Sequence, residues 1–419
     1  MKITLVETDA QGGLIHFSYQ LAEALAAKGV ETVLLTGQNY ELAHMPHRTR
    51  VRPILKFWAQ FEVTETSPTR RCIWGKLRLL RRAWRGVVTV REWSRLTIEL
   101  LRHPPDVAIF SMIRFPFQMV FLKILTASGM PLVQVCHEFE QREAKRSTFS
   151  GFGRRMYRAA YSQFSAILFI SEDTRQNFLT AFGPVTATFV IPHGPQLLFP
   201  SDLDAEQRLR TAHGLKPGER VVLFVGGLRP SKGVPDLISA FAQLPDRTNL
   251  RLLIAGYPSR EFDTDAVQKQ LKDLGIVDQV QLRFEYIPGE EIGPLVQLAD
   301  VVVFPYRSAT ASGAVALAQT LQRPVIATAV GGLPEAIEDG VTGTLVPPGD
   351  IGALASAIGQ VLADPEAAKR MAASGYEMCT RNRSWGEIAL QVRNIITDLD
   401  LGLAHGGAVD AQDDPNVPQ

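Results

Sequence analysis

The strongest constraint on the fold is a stretch of the C-terminal half in which two apolar runs flank a loop of small residues and a short helix. The first run, 299–304, reads ADVVVF, and the second, 324–327, reads PVIA. Both runs are typical of buried strands. Between them, small residues from Ser308 to Gly313 lead into a predicted helix from about Ala314 to Leu321. The order strand, loop, helix, strand predicts an α/β fold with a parallel sheet.

The segment 221–233 has the same form upstream. It reads VVLFVGGLRPSKG, an apolar strand followed by two glycines and the cations Arg229 and Lys232. Ligands of parallel sheets bind at the carboxyl ends of the strands, and a helix N-terminus there offers free N–H groups to a phosphate. Taken alone, the cation pair is more typical of two solvated charges. Together the two loops predict a diphosphate site, with Arg229, Lys232, Thr310, Ser312 and Gly313 as its ligands.

These segments resemble a known family. VGGLRPSKG at 225–233, LLIAGYP at 252–258 and RPVIATAVGGLPEAIEDGVTGTLVPPGD at 323–350 are similar to the donor-binding half of family 4 glycosyltransferases with the GT-B fold. The resemblance is densest from 221 to 362. It implies two Rossmann-like α/β domains that face each other across a cleft, and a C-terminal helix that crosses back to the N-terminal domain. It also implies a nucleotide-sugar substrate, with no metal ion and no further cofactor.

One departure from the family concerns the donor loop. Members usually carry a Glu near the donor sugar and, after seven intervening residues, a second Glu on the ribose. These positions fall at Ala309 and Leu317, or at Thr310 and Ala318 when counted from the pair 312–313. None of them is acidic. We interpret the chain as a subgroup without the paired glutamates, so the retaining mechanism that the resemblance implies lacks its usual residues.

The length of 419 residues suggests at least two domains. With the resemblance, we predict an acceptor-side N-terminal domain and a nucleotide-sugar donor-binding domain joined by a Pro-rich linker, followed by a crossover helix. The final residues are mostly Gly, Asp, Pro and Gln, which predicts a disordered tail. The predicted bounds are 1–194 for the N-terminal domain, 195–200 for the linker and 201–383 for the donor-binding domain. The crossover helix is predicted at 384–401 and the tail at 402–419.

The N-terminus predicts a βαβ unit, with a strand at Lys2 to Val6, a helix from about His16 to Lys28 and a strand at Val30 to Leu35. Gly12 and Gly13 lie between the first strand and the helix. They do not form a GxGxxG fingerprint, and by themselves they favour an ordinary tight turn. The resemblance places such a loop beneath the donor phosphates, facing the acceptor.

A histidine and two acids follow the predicted strand from Pro131 to Val135. These residues are His137, Glu138 and Glu140. The end of a parallel strand is where α/β enzymes place functional groups, and an ordinary histidine titrates near neutral pH. The resemblance adds that the family often has a His-acid pair at this point, near the reacting sugar, so we predict His137 and Glu138 as catalytic groups. The alternative is a histidine that only stabilises the fold.

A further predicted strand, Val280 to Phe284, ends in the sequence FEYIP. The resemblance implies that Tyr286 and Ile287 hold the nucleotide base. An ordinary turn from strand to loop is the alternative.

Residues 67–102 are unusually basic, with ten Lys or Arg against the two acids Glu92 and Glu99. Apolar residues recur there at helical spacing, namely Ile73, Leu77, Leu80, Trp84 and Val87. Such a helix suits an anionic membrane surface, which we predict to contact residues 70–95. The alternative is an ordinary helix whose apolar stripe packs on the domain.

Charge and cysteine content exclude several other classes. A net charge of +1 argues against nucleic-acid binding. Cys72, Cys136 and Cys379 match no disulfide framework and no zinc spacing, so a reducing cytoplasm is the simplest setting. The N-terminus MKITLVETD is a strand start rather than a signal peptide. We expect a cytoplasmic protein, with peripheral binding at the inner face of the cell membrane as a further possibility.

Three functions fit this sequence. The first is transfer of a sugar, with UDP as the expected nucleotide, to a lipid-linked or oligosaccharide acceptor in cell-surface polysaccharide biosynthesis. A nucleotide-sugar epimerase on the same fold is the second. The third is a non-catalytic subunit that binds a sugar nucleotide or a partner, which the missing glutamates favour.

Overall fold

The computed structural model describes residues 1–57, 78–139, 151–199 and 202–400. These residues form two α/β domains, each built on a wholly parallel sheet, and the domains face each other across a cleft. The predicted fold class is therefore confirmed. Glu140 and the predicted tail at 402–419 lie outside the described residues.

The first domain contains seven strands, β1 (Lys2–Val6), β2 (Glu31–Gly37), β3 (Arg50–Leu55), β4 (Val107–Phe110), β5 (Leu132–Cys136), β6 (Ala166–Phe169) and β7 (Ala187–Val190). Their order in the sheet is β3-β2-β1-β4-β5-β6-β7. Its helices are α1 (Gly13–Ala27), α2 (Arg78–Arg102), α3 (Met119–Ala127), α4 (Gly151–Tyr161) and α5 (Glu172–Phe182). The strand order changes direction between β1 and β4, and a ligand crevice is expected at such a point.

The second domain contains β8 (Arg220–Val225), β9 (Leu250–Ala255), β10 (Val280–Arg283), β11 (Val301–Phe304), β12 (Val325–Thr328) and β13 (Thr344–Val346). Their order is β10-β9-β8-β11-β12-β13. Its helices are α6 (Leu203–Ala212), α7 (Val234–Ala242), α8 (Thr264–Asp273), α9 (Gly289–Gln297), α10 (Gly313–Thr320), α11 (Leu333–Ala336), α12 (Ile351–Ala363) and α13 (Pro365–Glu377). The order changes direction between β8 and β11, the two strands whose following loops were predicted to bind a diphosphate.

A last helix, α14 (Trp385–Asp400), returns to the first domain and packs against α1. Its apolar side chains join the core of that domain, and Trp385 Nε1 donates a hydrogen bond to the carbonyl of Pro195 at 2.7 Å. The ring of Trp385 lies so close to Gly194 that a Cβ there would be 2.6 Å from it. The predicted crossover helix is thus confirmed.

Three strands were not predicted from the sequence, namely β3, β7 and β13. All three lie at an edge of a sheet. An edge strand is paired on one side only and is partly exposed, so its sequence carries a weaker apolar signal. In β3 the signal is further broken by Pro53, a residue that sheets accept at their edges.

The basic segment forms helix α2 over its described part, and its packed face is not the predicted stripe. Ile73 and Leu77 lie outside the described residues. Trp84 and Val87 are 61% and 67% exposed, so the alternative of a stripe packed on the domain is wrong for these two residues. The helix packs through a second set of buried side chains, Val88, Trp93, Leu96 and Leu100. Among the described residues, no helix is both long enough and apolar enough to span a membrane.

Candidate active site

A cleft of about 900 Å³ lies between the two domains at the carboxyl ends of both sheets. It brings together every residue that the sequence singled out for a site. These are Gly12, Gly13, His137, Glu138, Arg229, Lys232, Tyr286, Ile287, Thr310, Ser312 and Gly313. The tertiary structure thus gathers loops that are up to 300 positions apart in the chain.

The loops of the second domain pack against one another closely, and two glycines make this possible. Gly233 has a φ of 66°, and a Cβ there would lie 1.8 Å from the carbonyl oxygen of Pro305. Gly331 has a φ of 54°, and a Cβ there would lie 1.7 Å from the carbonyl oxygen of Ala309. Neither position accepts a side chain, because both the dihedral and the space exclude one. The glycines of the two motifs therefore allow these loops of the second domain to pack directly against each other.

An ion pair fixes the same two loops relative to each other. Arg307 donates to both carboxylate oxygens of Asp236, at 2.7 and 2.8 Å, and its backbone N–H donates to Ser231 at 2.8 Å. A bidentate pair of this kind is geometrically specific. Arg307 therefore stabilises the loops instead of contributing its charge to the cleft.

The two predicted phosphate cations differ in their surroundings. Arg229 is exposed at the cleft and has no acidic partner among the residues that the structure describes. Lys232 is half-buried, with its Nζ 3.6 Å from the centroid of the Tyr306 ring. The aromatic face stabilises the ammonium group and restricts its position.

The loop before α10 presents backbone groups more than side chains. Ser312 caps the helix, since its hydroxyl accepts from Val315 N at 3.4 Å and lies 3.3 Å from the hydroxyl of Tyr306. The carbonyl of Thr310 accepts from Gly332 N at 2.7 Å. The first N–H groups of the helix, beginning at Gly313, have no acceptor within it. An anion at this helix end would meet N–H groups and the positive end of the dipole.

On the opposite wall, His137 directly follows β5 and lines the cleft together with the loop before α10. Its ring contacts Phe17 edge-to-face at 4.6 Å, and its Nε2 is buried without a hydrogen-bond partner among the described residues. Burial, and next the nearby His193, lower the pKa of His137 to about 3. The expectation of a histidine that titrates near neutral pH is therefore wrong. The ring is neutral at physiological pH.

His193 is a cleft residue that the sequence reasoning treated only as part of the interdomain crossing. Its Nδ1 is 2.8 Å from the carbonyl of Gly194, and its ring lies 5.4 Å from that of Phe17. A Cβ at Gly313 would be 3.2 Å from His193 Nε2. This histidine thus reaches across to the start of α10. No clear sequence signal marked this residue, because the edge strand β7 that precedes it was not predicted.

A buried acid lies beneath the Gly12-Gly13 loop. Glu7 is fully buried, and it accepts from Asp9 N at 2.8 Å and from the Ser18 hydroxyl at 3.1 Å. Burial, and next the charge of Asp9, raise the pKa of Glu7 to about 8. Asp9 forms an ion pair with Arg114, and both residues line the cleft. The sequence offered only one signal for this cluster, the acids that interrupt the N-terminal apolar run.

Across the cleft, Tyr286 lies with Ile287 on the second-domain side, and its hydroxyl donates to Glu41 of the first domain. Burial, and next this hydrogen bond, raise the pKa of Tyr286. Glu41 was not predicted, since nothing in its local sequence marks it. Within the described ranges, no group of three or more His, Cys, Asp or Glu side chains could hold a metal ion.

Two family models match the chain in tandem. "Glycosyltransferase Family 4" matches residues 11–196, and "Glycosyl transferases group 1" matches residues 205–378. The first covers most of the N-terminal domain and the second most of the C-terminal one. Together they account for nearly all of the described chain.

A curated relative is the GDP-mannose-dependent alpha-(1-6)-phosphatidylinositol monomannoside mannosyltransferase of Mycolicibacterium smegmatis, which is 35% identical over 230 residues. The match covers 52% of this chain and 58% of the relative, so the chain spans little more than half the length of that protein.

Among solved structures, sucrose-phosphate synthase from Thermosynechococcus elongatus superposes with a TM-score of 0.72 at 22% identity, covering 96% of this chain and 99% of the other. Anabaena HepE in complex with UDP and glucose superposes with a TM-score of 0.70 at 20% identity, covering 95% and 100%. These likenesses extend over the whole fold. With one matching model for each domain and a GT-B fold shared from end to end, the chain belongs to the family 4 glycosyltransferases.

Proposed function

We propose that the protein transfers a sugar from a nucleotide-diphosphate sugar to a hydroxyl group of an acceptor. The observation that carries this proposal is the cleft itself. One wall presents Arg229, Lys232 and a helix N-terminus, and the other presents His137, whose buried Nε2 has no hydrogen-bond partner in the described part of the chain. In such a site one wall would bind the diphosphate and the other would contact the reacting sugar.

In the proposed reaction, the acceptor oxygen bonds to the anomeric carbon as the bond from that carbon to the β-phosphate oxygen breaks. The hydroxyl proton leaves to the departing diphosphate or to solvent. Negative charge develops on the diphosphate, where Arg229, Lys232 and the N–H groups at Gly313 stabilise it without reorganising. Ser312 supports this arrangement as the cap of α10, and Thr310 lies beside the sugar.

The base of the donor would pack on Tyr286 and contact backbone groups at Ile287, at the end of the loop that follows β10. The relative from Mycolicibacterium smegmatis is named for a GDP-mannose donor, whereas the HepE structure contains UDP. We propose UDP or GDP as the nucleotide. The panel of UDP- and GDP-hexoses in the assay below distinguishes the two.

His137 and Glu138 would contact the sugar and the accepting hydroxyl. Because His137 is neutral, it would orient these groups by hydrogen bonding and not as a charged acid. We further propose that the reaction needs no metal ion, since two cations and a helix end already neutralise the diphosphate. Activity that survives EDTA supports this proposal, and activity that returns only on addition of Mg²⁺ or Mn²⁺ contradicts it.

The acceptor is proposed to be lipid-linked or an oligosaccharide of the cell surface, presented at the inner face of the membrane. An exposed apolar and basic surface on the first domain supports this. On α2, the apolar residues Trp84, Val87, Val90, Ile98 and Leu101 are exposed, and on the adjacent α3 so are Val120 and Ile124. We call these seven residues, with the arginines between them, the α2-α3 surface.

The acids of α2 are turned away from that surface. Glu92 is buried and binds Lys56 N and Arg91, while Glu99 pairs with Arg52. Arg91 and Arg95 are exposed. The outward face is therefore apolar and cationic, which suits an anionic lipid surface.

Sedimentation with vesicles tests this surface. Trp84→Glu with Val87→Glu is expected to reduce binding to vesicles that contain phosphatidylglycerol by roughly a hundredfold or more, since burying such side chains contributes about 1.5–3 kcal/mol each. Val341→Glu is the control, because Val341 is also exposed but lies in the second domain. Equal binding of all variants would contradict the proposal.

Transfer itself is tested with purified protein, a panel of UDP- and GDP-hexoses and a crude glycolipid acceptor. Release of nucleoside diphosphate that depends on the acceptor supports a glycosyltransferase. Epimerised free nucleotide sugar would identify the epimerase alternative. Thermal stabilisation by a nucleotide sugar without any turnover would identify a binding subunit, which the absence of the paired glutamates also allows.

A further inference from the structure

We propose that Glu41 is a positioning residue that links the base-binding segment of the second domain to the Gly12-Gly13 loop of the first. Binding of the donor and the geometry of that loop are then coupled across the cleft. The proposal rests on the proposed function for the identity of the donor, and on the hydrogen bonds of Glu41 for its geometry.

Three groups meet at the carboxylate of Glu41. Glu41 Oε1 accepts from Gly12 N at 2.6 Å and is 2.5 Å from His16 Nε2, while Oε2 accepts from the hydroxyl of Tyr286. The backbone N–H of Glu41 donates to the carbonyl of Ala10 at 3.0 Å. Both the backbone and the side chain of Glu41 are thus hydrogen-bonded to the loop after β1. Only the contact with Tyr286 crosses the cleft.

The loop that Glu41 holds has little freedom of its own. Gly12 has a φ of 84° and a ψ of −167°, a conformation that L side chains avoid. The N–H of Gly12 is directed at Glu41 and fixes where the next residue, Gly13, starts α1. His16 is 7% exposed, and its ring meets that of Phe199 in the interdomain linker at 5.1 Å. A shift of Tyr286 therefore reaches the loop, the helix and the linker together.

The bonds to Glu41 are charge-assisted. Burial acts to raise the pKa of this carboxyl, but the hydrogen bond and charge of His16, with the hydrogen bonds from Tyr286 and Gly12, hold the pKa below its ordinary value. The group is therefore a carboxylate at neutral pH. Hydrogen bonds to a charged acceptor are roughly twice as strong as neutral ones. Losing one of them shifts the ratio of closed to open domain arrangements by roughly tenfold.

This link has a consequence for the reaction. The ring of Tyr286 is the proposed packing surface for the base, and the Gly12-Gly13 loop faces the phosphates and the acceptor. A donor that fixes Tyr286 also fixes the loop, and the coupling is reciprocal. Deleting the hydroxyl of Tyr286 separates the two roles, because the ring remains.

The experiment is a double-mutant cycle with Tyr286→Phe and Glu41→Gln, read as kcat/KM for transfer and as affinity for UDP and GDP. Each single variant is expected to lose roughly tenfold in kcat/KM. The double variant should lose no more than the more impaired of the two single variants. Nucleotide affinity should fall by no more than the same factor, because the donor binds the linked arrangement of the domains. Tyr40→Phe is the matched control, since its hydroxyl bonds His47 at 2.6 Å within the first domain.

Two results would overturn the proposal. Single variants with the activity of Tyr40→Phe would show that the link does not matter, and losses that multiply in the double variant would show that the two groups act independently. If Glu41→Gln does not fold, Tyr286→Phe decides alone, because it deletes one oxygen and keeps the ring.

Small-angle scattering separates this inference from the proposed function. If the wild type transfers no sugar while Tyr286→Phe and Glu41→Gln expand relative to Tyr40→Phe, the proposed function fails and the link stands. If the wild type transfers sugar and both variants match it in activity and in radius of gyration, the link fails and the proposed function stands.

Discussion

The two walls of the cleft are built from different chemistry. The wall from the second domain consists of Arg229, Lys232 and the N-terminus of α10, held in place by glycines and by the pair Arg307–Asp236. The wall from the first domain presents the titratable groups His137 and His193, with Glu7 buried behind it, and burial displaces the pKa values of all three. Permanent charges suit the binding of a diphosphate over a wide pH range. Buried titratable groups suit contacts that depend on one protonation state. The difference suggests that substitutions in the two walls change different quantities.

The largest effect is expected on the wall from the first domain. His137→Ala should lower turnover by about 10², because a positioned side chain at the reacting centre contributes that much, while nucleotide affinity stays within a few-fold. Single-turnover kinetics and calorimetric titration with UDP and GDP measure the two quantities.

His137→Asn keeps a side chain that can form hydrogen bonds, so it should retain more turnover than His137→Ala. A His137→Ala protein that loses thermal stability in proportion to its turnover would assign His137 to the fold and would remove the difference between the walls.

The second effect concerns the other wall and has the opposite signature. Lys232→Ala should weaken the binding of a nucleoside diphosphate about tenfold, because a hydrogen bond to a charged group contributes roughly 1.5–3 kcal/mol. The fold should survive, since Lys232 is only half-buried against Tyr306. Lys369→Ala, at an exposed ion pair with Glu366 far along the chain, is the control. Unchanged affinity in a folded Lys232→Ala protein would refute the assignment.

The third effect is on the pH dependence of stability, which comes from buried titratable groups of the first domain and not from the permanent charges of the second. The pKa of Glu7 is about 8 in the folded protein against an ordinary value of 4.5, so the folded state binds more protons between these values. Its stabilising contribution is complete below pH 4.5 and is lost as the pH rises through 8. Glu7→Gln cannot ionise, so its melting temperature should fall less between pH 5 and 9, by a few degrees. Parallel melting curves would contradict this.

The smallest effect has the opposite sign. The pKa of His137 is about 3 in the folded protein against an ordinary value of 6.5, so below pH 6.5 the unfolded chain takes up a proton that the folded one refuses. Stability is therefore lost as the pH falls from 6.5 towards 3. His137→Asn should lose less stability than the wild type between pH 7 and 5, by about 1–2 °C. If the melting temperature of His137→Asn fell between pH 7 and 5 by as much as that of the wild type, the ring would be hydrated and not buried.

The positions of the cleft residues show how far the sequence predicts which residues come together. The sequence predicted that Arg229, Lys232 and the glycines lie at the cleft, because each follows an apolar strand at short range and strand ends in a parallel sheet converge. Glu41 was missed because its importance comes from Tyr286, 245 positions away. The predicted apolar stripe of α2 had the correct helical spacing, yet helical spacing does not decide which side faces the domain, and Trp84 and Val87 face outward.

The sequence by itself determined the alternation of strands and helices, the glycines that close loop packing requires, and the cations on the second-domain wall of the cleft. These features are encoded in short segments, because backbone geometry and apolar periodicity are local properties. Only the tertiary structure decided that His137 is neutral, that Glu7 favours its proton, and that Glu41 joins the two domains. Burial and charge depend on groups brought together from distant parts of the chain, and no local pattern contains them.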